Sequence, residues 1–219
     1  VIAYDSNLKF NFKDQHILLA SLGKFLRKSI DNFKTNPPHY LTPSQKKVES
    51  YRKSLSKYKK IKIGLSWRTT GQSSNERVIS LEQLSKILTL ENYEFINLQY
   101  GDTSIERELF KKKYGKEVIT INNLDLMNDF EGIAAVISCC DLILTIDNWI
   151  AHLSSSIGKN TLIFLPKYPF WYWLTNRSNS LWYLNVKLFR QSTNSEWDNV
   201  IDKVYNEISK YNLNNLTRF

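Results

Sequence analysis

The chain has 219 residues, 42% of them apolar and 23% charged, a globular balance that excludes a disordered or collagen-like polypeptide. Its net charge is +9, and its two cysteines, Cys139 and Cys140, are adjacent, which suits neither a disulfide framework nor a metal cage. No apolar run approaches the roughly 18 residues of a membrane span, so a reduced, cytoplasmic compartment without a membrane span is expected.

Asp5, Asn7 and Lys9 follow the first four residues directly, so no signal peptide is read there. Met127 is the sole methionine, and the chain reads as a fragment with something missing upstream. Residues 15–26 are apolar enough for a short strand or helix start, and 36–43, with three prolines, read as a rigid extended linker. A charged helix is expected over 44–60. Residues 1–60 are thus expected to be the remnant of an N-terminal domain plus an interdomain linker helix.

From residue 61 strands and helices alternate. Strands are expected over 61–67, 94–99, 117–121, 141–146, 160–165 and 186–189. Helices are expected over 81–90, 104–114, 129–139, 150–157 and 196–211. The unbroken apolar runs at 142–144 and 162–165 indicate strands buried on both faces. Such βαβ units predict an α/β fold, a Rossmann-like, doubly wound, mostly parallel sheet, over 61–219. Capping boxes are expected at Ser80 with Gln83, Thr103 with Glu106 and Asn128 with Glu131. Beyond Asn148 the third residue is Ala151, which leaves that helix start without a local carboxylate. An open helix N-terminus after a parallel strand favours an anion, here a phosphate.

Charge is unevenly spread: residues 1–62 hold 14 Lys/Arg against 4 Asp/Glu, while 63–219 hold 16 against 17. Lysines outnumber arginines 22 to 8, and phosphate and base recognition favour the arginine fork, so this reads as a solvated surface rather than a nucleic-acid partner. There is no Gly-x-Gly-x-x-Gly, Walker loop, His-Glu-x-x-His or Gly-x-Ser-x-Gly. The three histidines, His16, His39 and His152, are far apart in sequence, so no metal is expected. What remains is polar residues at the carboxyl ends of strands, where ligands bind in open α/β sheets. Ser66 and Arg68 end the first strand, Gln99, Tyr100 and Gly101 follow the second, and Asp147, Asn148, Trp149 and His152 follow the fourth. Asn148 and His152, four apart, share one helical face. Taken singly, Asp147 could be a helix cap and His152 a core histidine.

The run from Asp129 to Lys159, with Asp141-Leu-Ile-Leu-Thr-Ile-Asp147 and Ala151-His152-Leu153, resembles the donor-binding segment of the ADP-heptose heptosyltransferase family. Ile63-Gly-Leu-Ser-Trp-Arg68, Arg77-x-x-Ser-Leu81, Asn97-Leu-Gln-Tyr-Gly-Asp102 and Leu188-Phe-Arg-Gln191 resemble the C-terminal glycosyltransferase-like module of bacterial tetratricopeptide-repeat proteins, related to O-linked GlcNAc transferases. The resemblance implies the C-terminal half of a GT-B fold and metal-independent glycosyl transfer without a cofactor. The donor would be a UDP- or ADP-sugar, the acceptor a hydroxyl on protein or glycan. It implies that Asp147 contacts donor sugar hydroxyls, that the turn from Asn148 to His152 binds the diphosphate, and that Arg68 helps neutralise it. The acceptor site and catalytic base would come from a missing N-terminal half, so the catalytic residue is unknown and the fragment alone would be inactive. Trp149 stands where the heptosyltransferase pattern has a small residue. The alternatives are a non-catalytic partner-binding module of a repeat protein or a nucleic-acid-binding domain; the aromatic loop 166–174 would either stack on a base or sugar or plug against the missing domain.

Overall fold

The computed structural model describes residues 21–69, 77–193 and 196–210. The chain divides into two units, Val1–Thr35 and Asn36–Phe219. In the first, the described part is a helical turn, α1 (Gly23–Leu26), and a 3-10 turn (Ile30–Phe33). Asn32 Oδ1 accepts the Ser29 N–H at 2.9 Å and closes the start of the second turn. Residues 15–20 of the expected apolar element lie outside the described residues.

The second unit is built on six parallel strands, β1 (Ile61–Ser66), β2 (Tyr93–Asn97), β3 (Val118–Ile119), β4 (Leu142–Ile146), β5 (Thr161–Leu165) and β6 (Val186–Arg190). Their order is β3-β2-β1-β4-β5-β6, a doubly wound, Rossmann-like α/β sheet whose direction of winding switches between β1 and β4. Ile63, Ile96, Leu144 and Ile163 are fully buried, as the apolar runs require.

Alternation along each strand feeds two apolar layers. Ile63, Leu65, Leu142, Leu144 and Phe164 pack with residues of α3 (Ser85–Leu88), α4 (Ser104–Tyr114) and α7 (Asp198–Ile208). On the opposite face, Ile96, Leu98 and Ile143 pack with α2 (Gln45–Leu55), α5 (Phe130–Cys139) and α6 (Trp149–Ser156). Gly64 sits in that second layer, where an added Cβ would stand 2.6 Å from Leu98 Cδ1 and 2.7 Å from Ile143 Cδ1.

Residues 36–60 are strapped onto this unit. Tyr40 and Leu41 N–H both donate to Ser156 O, at 2.7 and 2.9 Å, and Asn36 Nδ2 donates to Leu181 O at 2.9 Å. α2 lies on α5, with Leu55 in the core and Lys47 Nζ 2.8 Å from Asp129 Oδ1.

Three sequence expectations about helix starts are corrected. The Ser80–Gln83 box forms, with Gln83 N–H on Ser80 Oγ and Ser80 N–H on Gln83 Oε1. At α4, however, Glu106 leaves its own helix end and takes Trp67 Nε1 at 3.0 Å and Leu81 N–H at 2.9 Å, so Asp102 receives the Ser104 N–H instead. At α5 the cap is Asp129, not Asn128, because Glu131 is drawn away by the Ser44 N–H. At α6 the start is closed rather than open: Asn148 Oδ1 accepts the Ile150 N–H at 2.9 Å. An amide there does the work expected of a carboxylate. Among the described residues, no helix is long and apolar enough to cross a membrane.

Candidate functional site

Because every strand runs the same way, the ends of β1, β2 and β4 lie on one rim, and Ser66, Gln99 and Asp147 emerge there together. Ser66 pairs in register with Thr145, which places Asn148 directly across the switch point from Ser66. Their side chains meet: Asn148 Nδ2 donates to Ser66 Oγ at 2.8 Å, and Thr145 Oγ1 donates to Asn148 Oδ1 at 3.2 Å. Ser66 Oγ donates onward to Gln99 Oε1, which also accepts the N–H groups of Trp67 and Arg68, both at 2.9 Å. Ser66, Gln99 and Asn148 thus form a buried polar brace that ties β1, β2 and β4 together.

Tyr100, Gly101 and Trp149 flank the brace. Gly101 has φ +80°, a left-handed turn that favours glycine, and carries the chain from β2 over the rim. The Tyr100 ring lies 6.0 Å from Trp149, which in turn lies 5.1 Å from Phe130, so Trp149 is a member of an aromatic row along the rim. Arg68 turns toward α4, with Nη2 donating to Asp102 O at 2.6 Å and Nη1 3.5 Å from Glu106 Oε2.

Asp147 lies on the other side of the brace, 1% exposed. Its Oδ1 accepts Trp173 Nε1 at 2.7 Å and Tyr172 Oη at 3.5 Å, whereas Oδ2 has no partner. Burial pushes this carboxyl up from the ordinary range, opposed by the Trp173 hydrogen bond, the charges of Arg77 and His152 and a main-chain hydrogen bond from Phe170. Arg77 acts on it by charge from nearby, its Nη1 donating to the main-chain O of Asp147 at 3.5 Å and its Cζ 4.6 Å from the Phe170 ring centre. The side chains that enclose Asp147, namely Arg77, Tyr172 and Trp173, were absent from the sequence-derived set. The signal available for them was Arg77 in its Arg77-x-x-Ser-Leu81 context and the density of aromatics in 166–174.

His152, one turn into α6, stacks on Trp173 at 5.1 Å and 15°, and its Nδ1 lies 3.1 Å from Tyr183 Oη. The Ser156 side chain also hydrogen-bonds to Tyr183. In the tautomer that carries its proton on Nε2, Tyr183 Oη donates to Nδ1 and Nε2–H is left as a donor. Burial holds the His152 pKa below its ordinary value, with the Asp147 charge opposing. The folded chain therefore takes up this proton less readily than the unfolded chain. Stability from His152 is fully present above about pH 6.5 and is lost as pH falls toward the depressed value. Thermal melts from pH 7.5 to 5 should fall more steeply for the wild type than for His152→Gln, and parallel slopes would contradict this.

The two cysteines are poor nucleophiles. Burial pushes the Cys140 thiol up to about 12 and raises Cys139 as well.

No family model matches the chain. Protein FlbA of Caulobacter vibrioides is 25% identical over 190 residues, 84% of this chain but 32% of FlbA. Among solved structures, a glycosyl transferase family 9 protein from Veillonella parvula superposes with a TM-score of 0.49 at 11% identity, covering 80% of this chain and 47% of that one. The E. coli heptosyltransferase WaaC with ADP-2-deoxy-2-fluoro heptose gives 0.46 at 12%, covering 82% and 47%. The chain therefore spans 32% of the length of the curated relative and 47% of each of these solved chains.

Proposed function

We propose that this chain is the donor-binding half of a metal-independent, GT-B-type glycosyltransferase, which moves a sugar from a UDP- or ADP-sugar to a hydroxyl on a protein or glycan. In this reading residues 61–219 hold the donor. Residues 1–60 are the tail of a preceding domain, which supplies acceptor site and base, with α2 as the linker helix docked on α5. The observation that carries the reading is the Asp147–His152 pair. Asp147, a buried carboxyl whose Oδ2 has no hydrogen-bond partner, stands just before α6, and the imidazole of His152 lies inside its first turns beside the switch point.

The chemistry divides between them. Asp147 accepts hydrogen bonds from hydroxyls of the sugar, and its negative charge keeps the diphosphate off. The positive end of the α6 dipole favours the diphosphate, although the Ile150 and Ala151 N–H groups are already held by Asn148. His152 Nε2–H adds a donor one turn in. Arg77, rather than Arg68, is placed to offset the charge that grows on the leaving diphosphate, since Arg68 is engaged by Asp102 and Glu106. An acceptor hydroxyl then attacks the anomeric carbon.

The test is calorimetric titration of UDP, ADP and their glucose and N-acetylglucosamine conjugates. Hydrogen bonds to charged groups are worth about 1.5–3 kcal/mol, so His152→Ala should weaken the bound diphosphate roughly ten- to a hundredfold. Absence of binding to all of them, or equal affinities for wild type and variant, would overturn the reading. A partner-binding module would then be favoured by Tyr168 and Trp171, which expose 69% and 68% of their surface on the outer side of the 166–174 loop.

A further inference from the structure

Buried polar atoms normally find partners, and those that do not call for an explanation. Asp147 Oδ2 and Arg190 Nη1 are two such atoms. Ile146 pairs in register with Phe164, and Leu165 with Arg190, so Asp147 and Arg190 stand level at the ends of β4 and β6 with Leu165 between them. Two strand spacings put their backbones about 10 Å apart.

They also share a face of the sheet. Leu188, Leu165, Ala151 and Trp173 form one apolar cluster, and alternation places Arg190 on the side of Leu188. Asp147 meets the same cluster through Trp173. The Asp147 charge acts on the Arg190 guanidinium, whose own charge burial disfavours.

One loop engages both side chains through their other polar atoms. Trp173 in the 166–174 loop occupies Asp147 Oδ1, and Arg190 Nη2 holds Leu174 O at 2.8 Å. At the trailing end of that loop Leu174 has φ +54° and ψ −175°, and Asn176 has φ +56°. The Leu174 geometry is one that side chains other than glycine rarely adopt, so the closed position is strained.

We infer that Asp147 Oδ2 and Arg190 Nη1 are the two ends of one sugar-receiving site, opened when the 166–174 loop lifts at Leu174. The carboxylate oxygen accepts a hydroxyl proton of the ring, and the guanidinium donates to an oxygen on its far side. An oxygen-rich ring that offers both donors and acceptors satisfies the two orphaned atoms together; an apolar group satisfies neither, and a purely cationic group only the carboxylate. Arg190 thereby becomes a sugar-binding residue. This rests on the donor-site reading above and adds the sugar end of that site.

The experiment compares UDP-glucose, UDP-N-acetylglucosamine and ADP-glucose with bare UDP and ADP on wild type, Arg190→Met and Arg190→Lys, each checked for folding by circular dichroism and thermal melting. Wild type should bind at least one nucleotide sugar more tightly than its own diphosphate. Arg190→Met should lose that advantage by tenfold or more with diphosphate affinity held, and Arg190→Lys, which keeps a charged donor, should recover part of it. An advantage unchanged within twofold in a folded Arg190→Met, or a wild type that binds diphosphate with no sugar advantage, overturns the inference while leaving the diphosphate site standing. Failure to bind even the bare diphosphates removes the donor-site reading, and this inference with it.

Discussion

Replacing Gln99 by alanine should cost about 3–5 kcal/mol of folding stability, a large part of the 5–15 kcal/mol typical of a domain. One side-chain oxygen, Gln99 Oε1, accepts from Ser66 Oγ, Trp67 N–H and Arg68 N–H, and Gln99 itself is fully buried. Each donor left without a partner in the interior costs about 1–3 kcal/mol. Urea unfolding should show a lower midpoint at an unchanged slope. Gln99→Met separates the acceptor from the volume it fills. Methionine occupies nearly the same space and accepts almost no hydrogen bond, so it should fall nearly as far as alanine. A Met variant as stable as wild type would mean that the brace does not depend on this oxygen.

Asp147→Asn should act in the opposite direction on stability and strongly on binding. The wild-type carboxyl is raised by burial, so the folded chain holds its proton more tightly than the unfolded chain. The sign follows from linkage: stability falls as pH rises through the raised value, and the penalty is absent below the ordinary carboxylate value of about 4. Asparagine carries no such penalty. Its carbonyl can keep the Trp173 N–H while its amide takes the place of Oδ2. The variant should therefore melt at or above the wild type at pH 7, with the gap closing toward pH 4. Sugar-nucleotide affinity should drop roughly ten- to a hundredfold on loss of a charge-assisted contact of about 1.5–3 kcal/mol, while bare diphosphate is spared. A variant less stable at pH 7 than at pH 4 relative to wild type would contradict the burial argument. Unchanged affinity for the sugar nucleotide would contradict the assigned role of Asp147.

The parts of the fold that local sequence controls were legible. The helix expected over 104–114 runs over those residues, Ser104–Tyr114, and the apolar runs in β4 and β5 are strands buried along their whole length. The apolar periodicity at 81–90 faces the core as well, with Leu81, Leu84, Ile87 and Leu88 all buried. Only Ser85–Leu88 is α-helical there, because the segment opens as a turn whose Leu81 N–H is held by Glu106 from across the fold. Glu106 is the general case. A sequence shows which residue could cap a helix but not which distant donor competes for it.

The candidate site divides along the same line. The convergence of Ser66, Gln99 and Asp147 on one rim follows from parallel strands alone, and was therefore readable. That Gln99 and Asn148 would turn inward, that Arg68 would pair with Glu106, and that Arg77 and Trp173 would close on Asp147 depends on contacts between residues 26 to 82 apart in the chain. No local pattern encodes those.

The lateral ends of the sheet bear on how copies of this chain could associate. An unpaired outer strand is a template onto which another chain can add, the usual route to ordered aggregation in β proteins. Here one outer strand, β3, has only two residues, Val118 and Ile119, too few to seed a ladder. The other, β6, is already occupied on its free side: Leu188 N–H donates to Ser178 O at 2.8 Å, and Asn179 bridges to Lys187 in antiparallel fashion. With main-chain pairing limited on both flanks of the sheet, association between molecules falls to side chains, and among the described residues Ile105, Tyr168 and Trp171 are the most exposed large apolar ones.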